Sequence, residues 1–182
     1  MARLKLALFT ILIFTLAASL YGAIHNQVTY SISPEYFTKF KFHQFQWAFA
    51  DFTVNIGSED KPEYIMSNNR ISASLVGILA TWWFGLLMEI VFVVTSFLKG
   101  MTTKHTVLLF TYIRFIFGIT IVIGSVASLL CILEILPNIC LLDNVTHTDH
   151  FSHARWIHNF SYLGGLVAFK LTLFIFLKRP LA

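Results

Sequence analysis

Four of the seven histidines in the chain fall in one stretch, His147-Thr148-Asp149-His150-Phe151-Ser152-His153-Ala154-Arg155-Trp156-Ile157-His158. Neutral imidazoles beside a carboxylate are the ligand set for zinc, copper, iron or nickel. In a helix His150 and His153 share a face, and His147 and Asp149 approach from the loop before it. His25 ends the first apolar run and Glu35 comes soon after it, and the topology places both at the same membrane level as the histidine stretch. His147, Asp149, His150, His153, His158, His25 and Glu35 are therefore a candidate site for a transition metal, zinc or copper, or for proton handling. No HExxH or other metal-ligand spacing accompanies them. The alternative is a set of solvated or structural histidines, with His158 and Asn159 the pair best suited to packing inside.

A second set is electrostatic. Glu89, Arg114 and Lys170 interrupt long apolar runs, where ionisable groups are costly and are usually paired or face a cavity. Glu89 lies ten residues before Lys99 and Arg114 ten residues after Lys104, so both sit about 15 Å from the turn between them at ~1.5 Å per residue. Lys170 lies about 12 Å from its own helix end on the same scale. An ion pair between Glu89 and Arg114, on helices joined by a short turn, is the expected structural clamp. The alternative is a proton or solute path, with Lys170 snorkelling to the surface.

Both sets must be carried by helices in lipid. Of 182 residues 57% are hydrophobic and only 12% charged, against about 25% charged in an ordinary soluble domain. Apolar runs at residues 6–24, 71–98, 107–136 and 160–177 are each near or above the ~20 residues that cross a bilayer. The expected fold is all-α: one four-transmembrane-helix domain over residues 1–182, with outward loops 25–70 and 137–159. Arg3 and Lys5, Lys99 and Lys104, and Lys178 and Arg179 fall on one side if both termini are cytoplasmic. The net charge of +4 comes from these flanking residues, so the positive balance gives no case for nucleic acid. The first run has a basic start and small residues at Ala17, Ala18 and Ser19, but it continues to Ile24 without a good cleavage site. It reads as a retained signal-anchor. Cys131 and Cys140 stand more than about 10 Å apart if the intervening chain is helical, too far for a disulfide. Gly118, Gly124, Ser125 and Ser128 line the third span and Gly164 and Gly165 open the fourth; such small residues suggest close helix packing of the ordinary bundle kind.

The first outward loop carries its own signals. Val28, Tyr30 and Ile32 alternate with polar residues, which predicts a short strand or extended segment. Ser33, Pro34 and Glu35 form a helix start, with N-cap, first-turn proline and acidic residue in order. The helix should run from Pro34 to about Phe45, either as a lid on the bundle or lying in the membrane interface with its lysines toward head groups. Residues 51–57 read as a strand ending at Gly57. The segments HNQVTYSISPEYFTKFKF and RISASLVGILATWW resemble a family of small uncharacterised bacterial inner-membrane proteins. The resemblance covers about a third of the chain and implies that location, with no activity attached.

No P-loop, dinucleotide fingerprint, nucleophile elbow or Cys-x-x-Cys pair occurs. No catalytic residue emerges from these patterns, and an enzymatic role stays open. The expectation is a scaffold or accessory subunit whose Phe- and Trp-rich outward loop meets a membrane or periplasmic protein partner. The alternatives are a metal-handling protein using the outer histidines and a small channel or transporter using the intramembrane charges.

Overall fold

The computed structural model describes residues 2–100 and 104–178. Four long helices dominate it: α1 (Ala2–Ile32), α5 (Asn69–Leu98), α6 (Lys104–Ile132) and α7 (Thr148–Lys178). All four are long and apolar enough to cross a membrane. Between α1 and α5 the chain builds a cap from α2 (Pro34–Tyr36), a π-helical turn (Phe37–Lys41), α3 (Phe42–Gln44), α4 (Gln46–Phe49) and a two-stranded antiparallel hairpin, β1 (Thr53–Asn55) and β2 (Tyr64–Met66).

The helices associate as two pairs, α1 with α5 and α6 with α7. Small residues explain the first pair. A Cβ on Gly22 would land on the Gly77 carbonyl and the Thr81 hydroxyl, and one on Gly77 would strike the Gly22 carbonyl. The two backbones can approach this closely only because neither residue has a side chain. Gly85 meets Ala18 and Phe14 in the same way. In the second pair Gly124 faces Ser161, and Gly164 faces Thr120 and Ile123. Of the small residues that suggested close helix packing, Gly124 and Gly164 lie in this α6–α7 contact, whereas Gly118 has open space around it.

Two aromatic cores hold the pairs together. At the end where α5 turns toward α6, Phe14, Phe92, Tyr112 and Phe176 bring all four helices together, with Phe92 5.5 Å from Phe176 and 5.9 Å from Tyr112 between ring centroids. At the capped end Tyr36, Phe37, Phe42 and Phe151 are buried with Val76 and Ala154.

Several boundaries differ from the expected ones. Residues 28–32 are helical, not extended, because α1 runs past its apolar section to Ile32. Its polar residues there are occupied: Gln27 donates to the Arg70 carbonyl and the Ser74 hydroxyl, and Arg70 Nη1 donates to Ser31. The third helix stops at Ile132 rather than residue 136, closed by Glu134 at φ 56°. The fourth begins at Thr148 rather than 160, so the histidine stretch is its first three turns. The strand expected within 51–57 is β1, and β2 pairs with it across a turn in which Asn55 Oδ1 accepts from the Gly57 and Glu63 amides. Cys131 and Cys140 are free thiols. Of the basic residues used for orientation, Arg179 lies outside the described residues, as do the side chains of Arg3 and Lys104.

Candidate functional site

The cap is a lid, pinned at its start. The Ser33 hydroxyl accepts from the Tyr36 amide at 3.2 Å, and Pro34 opens the first turn. Glu35 then reaches across to the α6–α7 loop. Its carboxylate accepts from Lys39 Nζ at 2.6 Å and from the amides of Thr146 and His147 at 3.0 and 2.8 Å. Lys39 also donates to the Asn144 carbonyl at 2.6 Å. Partial burial alone would raise the Glu35 carboxyl, but the Lys39 bond and the two backbone amides outweigh it and hold the carboxyl down at about 2.

After Glu35 the helix takes a π turn, in which the Phe42 amide bonds the Phe37 carbonyl. The inserted residue shifts the helical phase of the residues beyond it. Both lysines are largely buried but face different ways: Lys39, with its side chain 9% exposed, joins Glu35 and the Asn144 carbonyl, while Lys41, 6% exposed, lines the space between the helix pairs. The Lys41 ammonium donates to Gln44 Oε1 at 3.1 Å and lies over the rings of Tyr36, Phe40 and Tyr162 at 5.6–5.8 Å. Among the described residues no carboxylate pairs with it. Burial pulls its ammonium down to about 8 and likewise pushes the neighbouring Tyr36 phenol upward.

Beneath Lys41 a cavity of about 590 Å³ separates the two helix pairs. Its wall is apolar over most of its length, with Phe14, Met88, Ile116, Phe117 and Leu166 among the lining residues. Its charged, amide and imidazole groups gather toward the cap as Lys41, Gln44, Asn26 and His25, with hydroxyls of Tyr21, Tyr162, Ser161, Thr81 and Thr120 along the rest. Trp82 and Trp83 line it as well and are 41% and 47% exposed, so the cavity reaches the outer surface of the helices. A volume in the ~300–1,000 Å³ range with mostly apolar walls and a few convergent polar groups is the form of a small-molecule site.

The structure disperses the candidate metal ligands. His147 and His150 are exposed neighbours with ring centroids 5.7 Å apart. Asp149 accepts from Asn138 Nδ2, and His153 bonds the Ser128 hydroxyl at 2.9 Å. Glu35 is spent on the lid clamp. His158 is fully buried, with Nδ1 on the Ala154 carbonyl and Nε2 on Asn26 Oδ1 at 3.1 Å. Asn26 Nδ2 donates to the Ala73 carbonyl, which orients its oxygen toward His158; both His158 nitrogens thus face acceptor oxygens, and a neutral imidazole donates to one of the two. His25 meets His158 edge-on at 4.6 Å, and its buried Nε2 has no hydrogen-bond partner. Among the described residues no three His, Cys, Asp or Glu side chains converge as a metal site would require.

The charge cluster is also taken apart. Glu89 is fully buried and neither carboxylate oxygen has a hydrogen-bond partner, so the expected pair with Arg114 does not form. The glycine seam turns this face of α5 toward α1, where Thr10 stands opposite Glu89 with its own hydroxyl donated to the Ala7 carbonyl. Arg114 and Lys170 are exposed on the outer surface. A short connection made α5 and α6 neighbours in sequence, but helix packing is decided by the small-residue seams.

Lys41, Gln44 and Tyr162 were not candidates from the sequence. In a helix Lys41 lies one turn beyond the buried Phe37, at i+4 and on nearly the opposite side from Lys39. The one signal was local: a lysine between Phe40 and Phe42 in an aromatic run. No protein-family model, curated protein or solved structure matches the chain.

Proposed function

We propose that this is a multi-pass protein of the bacterial inner membrane, with cytoplasmic termini, that holds a lipid-like amphipathic molecule between its two helix pairs beneath the outer cap. The observation that carries this reading is the cavity: long, mostly apolar, with its one lysine and its amide side chains gathered at the capped end and only hydroxyls such as Thr81 and Thr120 further in. On α1 its lining runs from Asn26 to Phe14, about 18 Å along the axis. That shape suits a chain with a polar head better than a compact polar solute. The location and orientation rest on the four apolar helices, on Lys5, Lys99 and Lys178, and on the family resemblance of the loop.

Lipid extraction and mass spectrometry of the delipidated, detergent-purified protein test it. We expect about one chain-bearing molecule per protein, and its loss in Ala80→Phe, which fills the lining. A wild type that retains nothing under conditions where its helicity is intact would end the proposal.

The hairpin supports a second reading, an accessory subunit with an outward docking surface. Trp47, Phe52, Val54 and Ile56, in and just before the hairpin region of the cap, are 58–76% exposed. Co-purification of a stoichiometric protein that is lost in Trp47→Ser/Phe52→Ser would favour it, and purification of the chain alone would count against it.

A further inference from the structure

Lys41 is expensive where it sits. Taking an ammonium out of water without a counter-charge is unfavourable even after relaxation, and Gln44 offers one neutral acceptor. An ammonium has three donors, and one is used. The three surrounding rings contribute cation–π attraction, but they accept no conventional hydrogen bond. The cavity lining contains no Asp or Glu at all. Around its capped end stand His25, Asn26 and Tyr162, with His158 and Arg155 behind them. Every charge that this end can present is positive.

From this geometry we infer that the molecule held in the cavity is an acid: a single hydrocarbon chain bearing an oxyanion head group, which Lys41 receives with its two free N–H donors. This inference rests on the reading that the cavity holds a lipid-like molecule, and it adds the charge of the head group. A chain with a hydroxyl or amide head would fill the apolar part equally well but would leave the ammonium uncompensated. A free inorganic anion would neutralise Lys41 but would leave the apolar cavity unfilled.

The experiment is photo-crosslinking of the full chain in detergent with a diazirine fatty acid and with the matching diazirine fatty alcohol. Labelled peptides are mapped to the lining segments around Ala18, Ile116 and Leu166. Competition by oleate, by oleyl phosphate and by inorganic phosphate separates the sources of the anion. We expect the acid to label the lining at least ten-fold more strongly than the alcohol, oleate and oleyl phosphate to compete, and inorganic phosphate not to. Lys41→Met should bring acid labelling down to the alcohol's level, with Lys41→Arg restoring part of it. Thermal stability of Lys41→Met should be equal to or above the wild type's, because a costly buried charge has gone, and this separates a binding role from a structural one. Should Lys41→Met fail to fold, the acid-to-alcohol ratio in the wild type decides alone. Equal labelling by acid and alcohol would overturn the anionic head group and leave the lipid-holding cavity standing. Labelling of the lining by neither probe would overturn both.

Discussion

Glu35 shows how much a single residue in the cap can decide. Its carboxylate joins the start of the lid to the α6–α7 loop through Lys39, Thr146 and His147. The carboxyl falls from 4.5 to about 2 on folding, which is worth roughly 3 kcal/mol at neutral pH. A lowered acid contributes its stability above its unfolded value, and the contribution disappears as pH falls through the folded one. Glu35→Gln should therefore lose about 2–3 kcal/mol at pH 7, and the gap to the wild type should close between pH 4.5 and 2. Detergent melts of both proteins across that range check it, and a gap of equal size at pH 7 and pH 3 would show that the carboxylate charge is not what holds the lid. Glu35 as part of a helix start was legible, because Ser33 and Pro34 flank it in the order a helix N-terminus requires. Its partners were not, since two of them are backbone amides more than a hundred residues away. Lys41 was illegible for another reason: Tyr162 and the rest of the cavity lining around it belong to helices far away in the chain, and a lysine between two phenylalanines carries no mark of them. Glu89 was recognisable as costly, but its neighbours depended on which helix α5 packs against.

That dependence belongs to the scale of elements. Four apolar helices could be read from run length alone, and the cap helix and one strand from local signals. The pairing could not, because chain adjacency suggested α5 with α6 while the glycines at 22, 77 and 85 join α5 to α1. Those glycines are spread over two apolar runs and gain meaning only when the two helices are set antiparallel in one register. The seam makes a sharp prediction. A Cβ at position 77 meets backbone atoms, which cannot rotate away, so Gly77→Val should cost about 1–3 kcal/mol or more by overpacking. Gly118 has nothing near it, and Gly118→Ala should be neutral or gain up to ~1 kcal/mol from helix propensity. Melting temperatures of the two variants in the same detergent test the contrast. If Gly77→Val were as stable as Gly118→Ala, the α1–α5 contact would not be the close seam described.

As a whole the molecule is two helix pairs fastened at both ends and parted in the middle. At the capped end the His158–Asn26 bond and the Glu35 clamp cross from one pair to the other. At the opposite end Lys99 donates to the Phe176 and Leu177 carbonyls, above the core of Phe92, Tyr112 and Phe176. Apolar side chains could close the middle, yet the chain places alanine, glycine and threonine along much of it and leaves 590 Å³. Which molecules can enter depends on which side of the membrane the cap faces. The proposed orientation has Lys5, Lys99 and Lys178 in the cytoplasm by the positive-inside rule; in it the cap, with Lys41 under it, would face outward and the proposed ligand would come from the outer leaflet. Single cysteines test this in a background with Cys131 and Cys140 replaced by serine. Ser58→Cys, on the exposed hairpin turn, should react with a membrane-impermeant maleimide in intact cells, and Gly100→Cys, in the α5–α6 turn, only after permeabilisation. The reverse pattern would invert the molecule and make the cytoplasmic leaflet the source of its ligand. Reaction of both in intact cells would mean that the α5–α6 turn is also outside, and the four-span topology itself would fall.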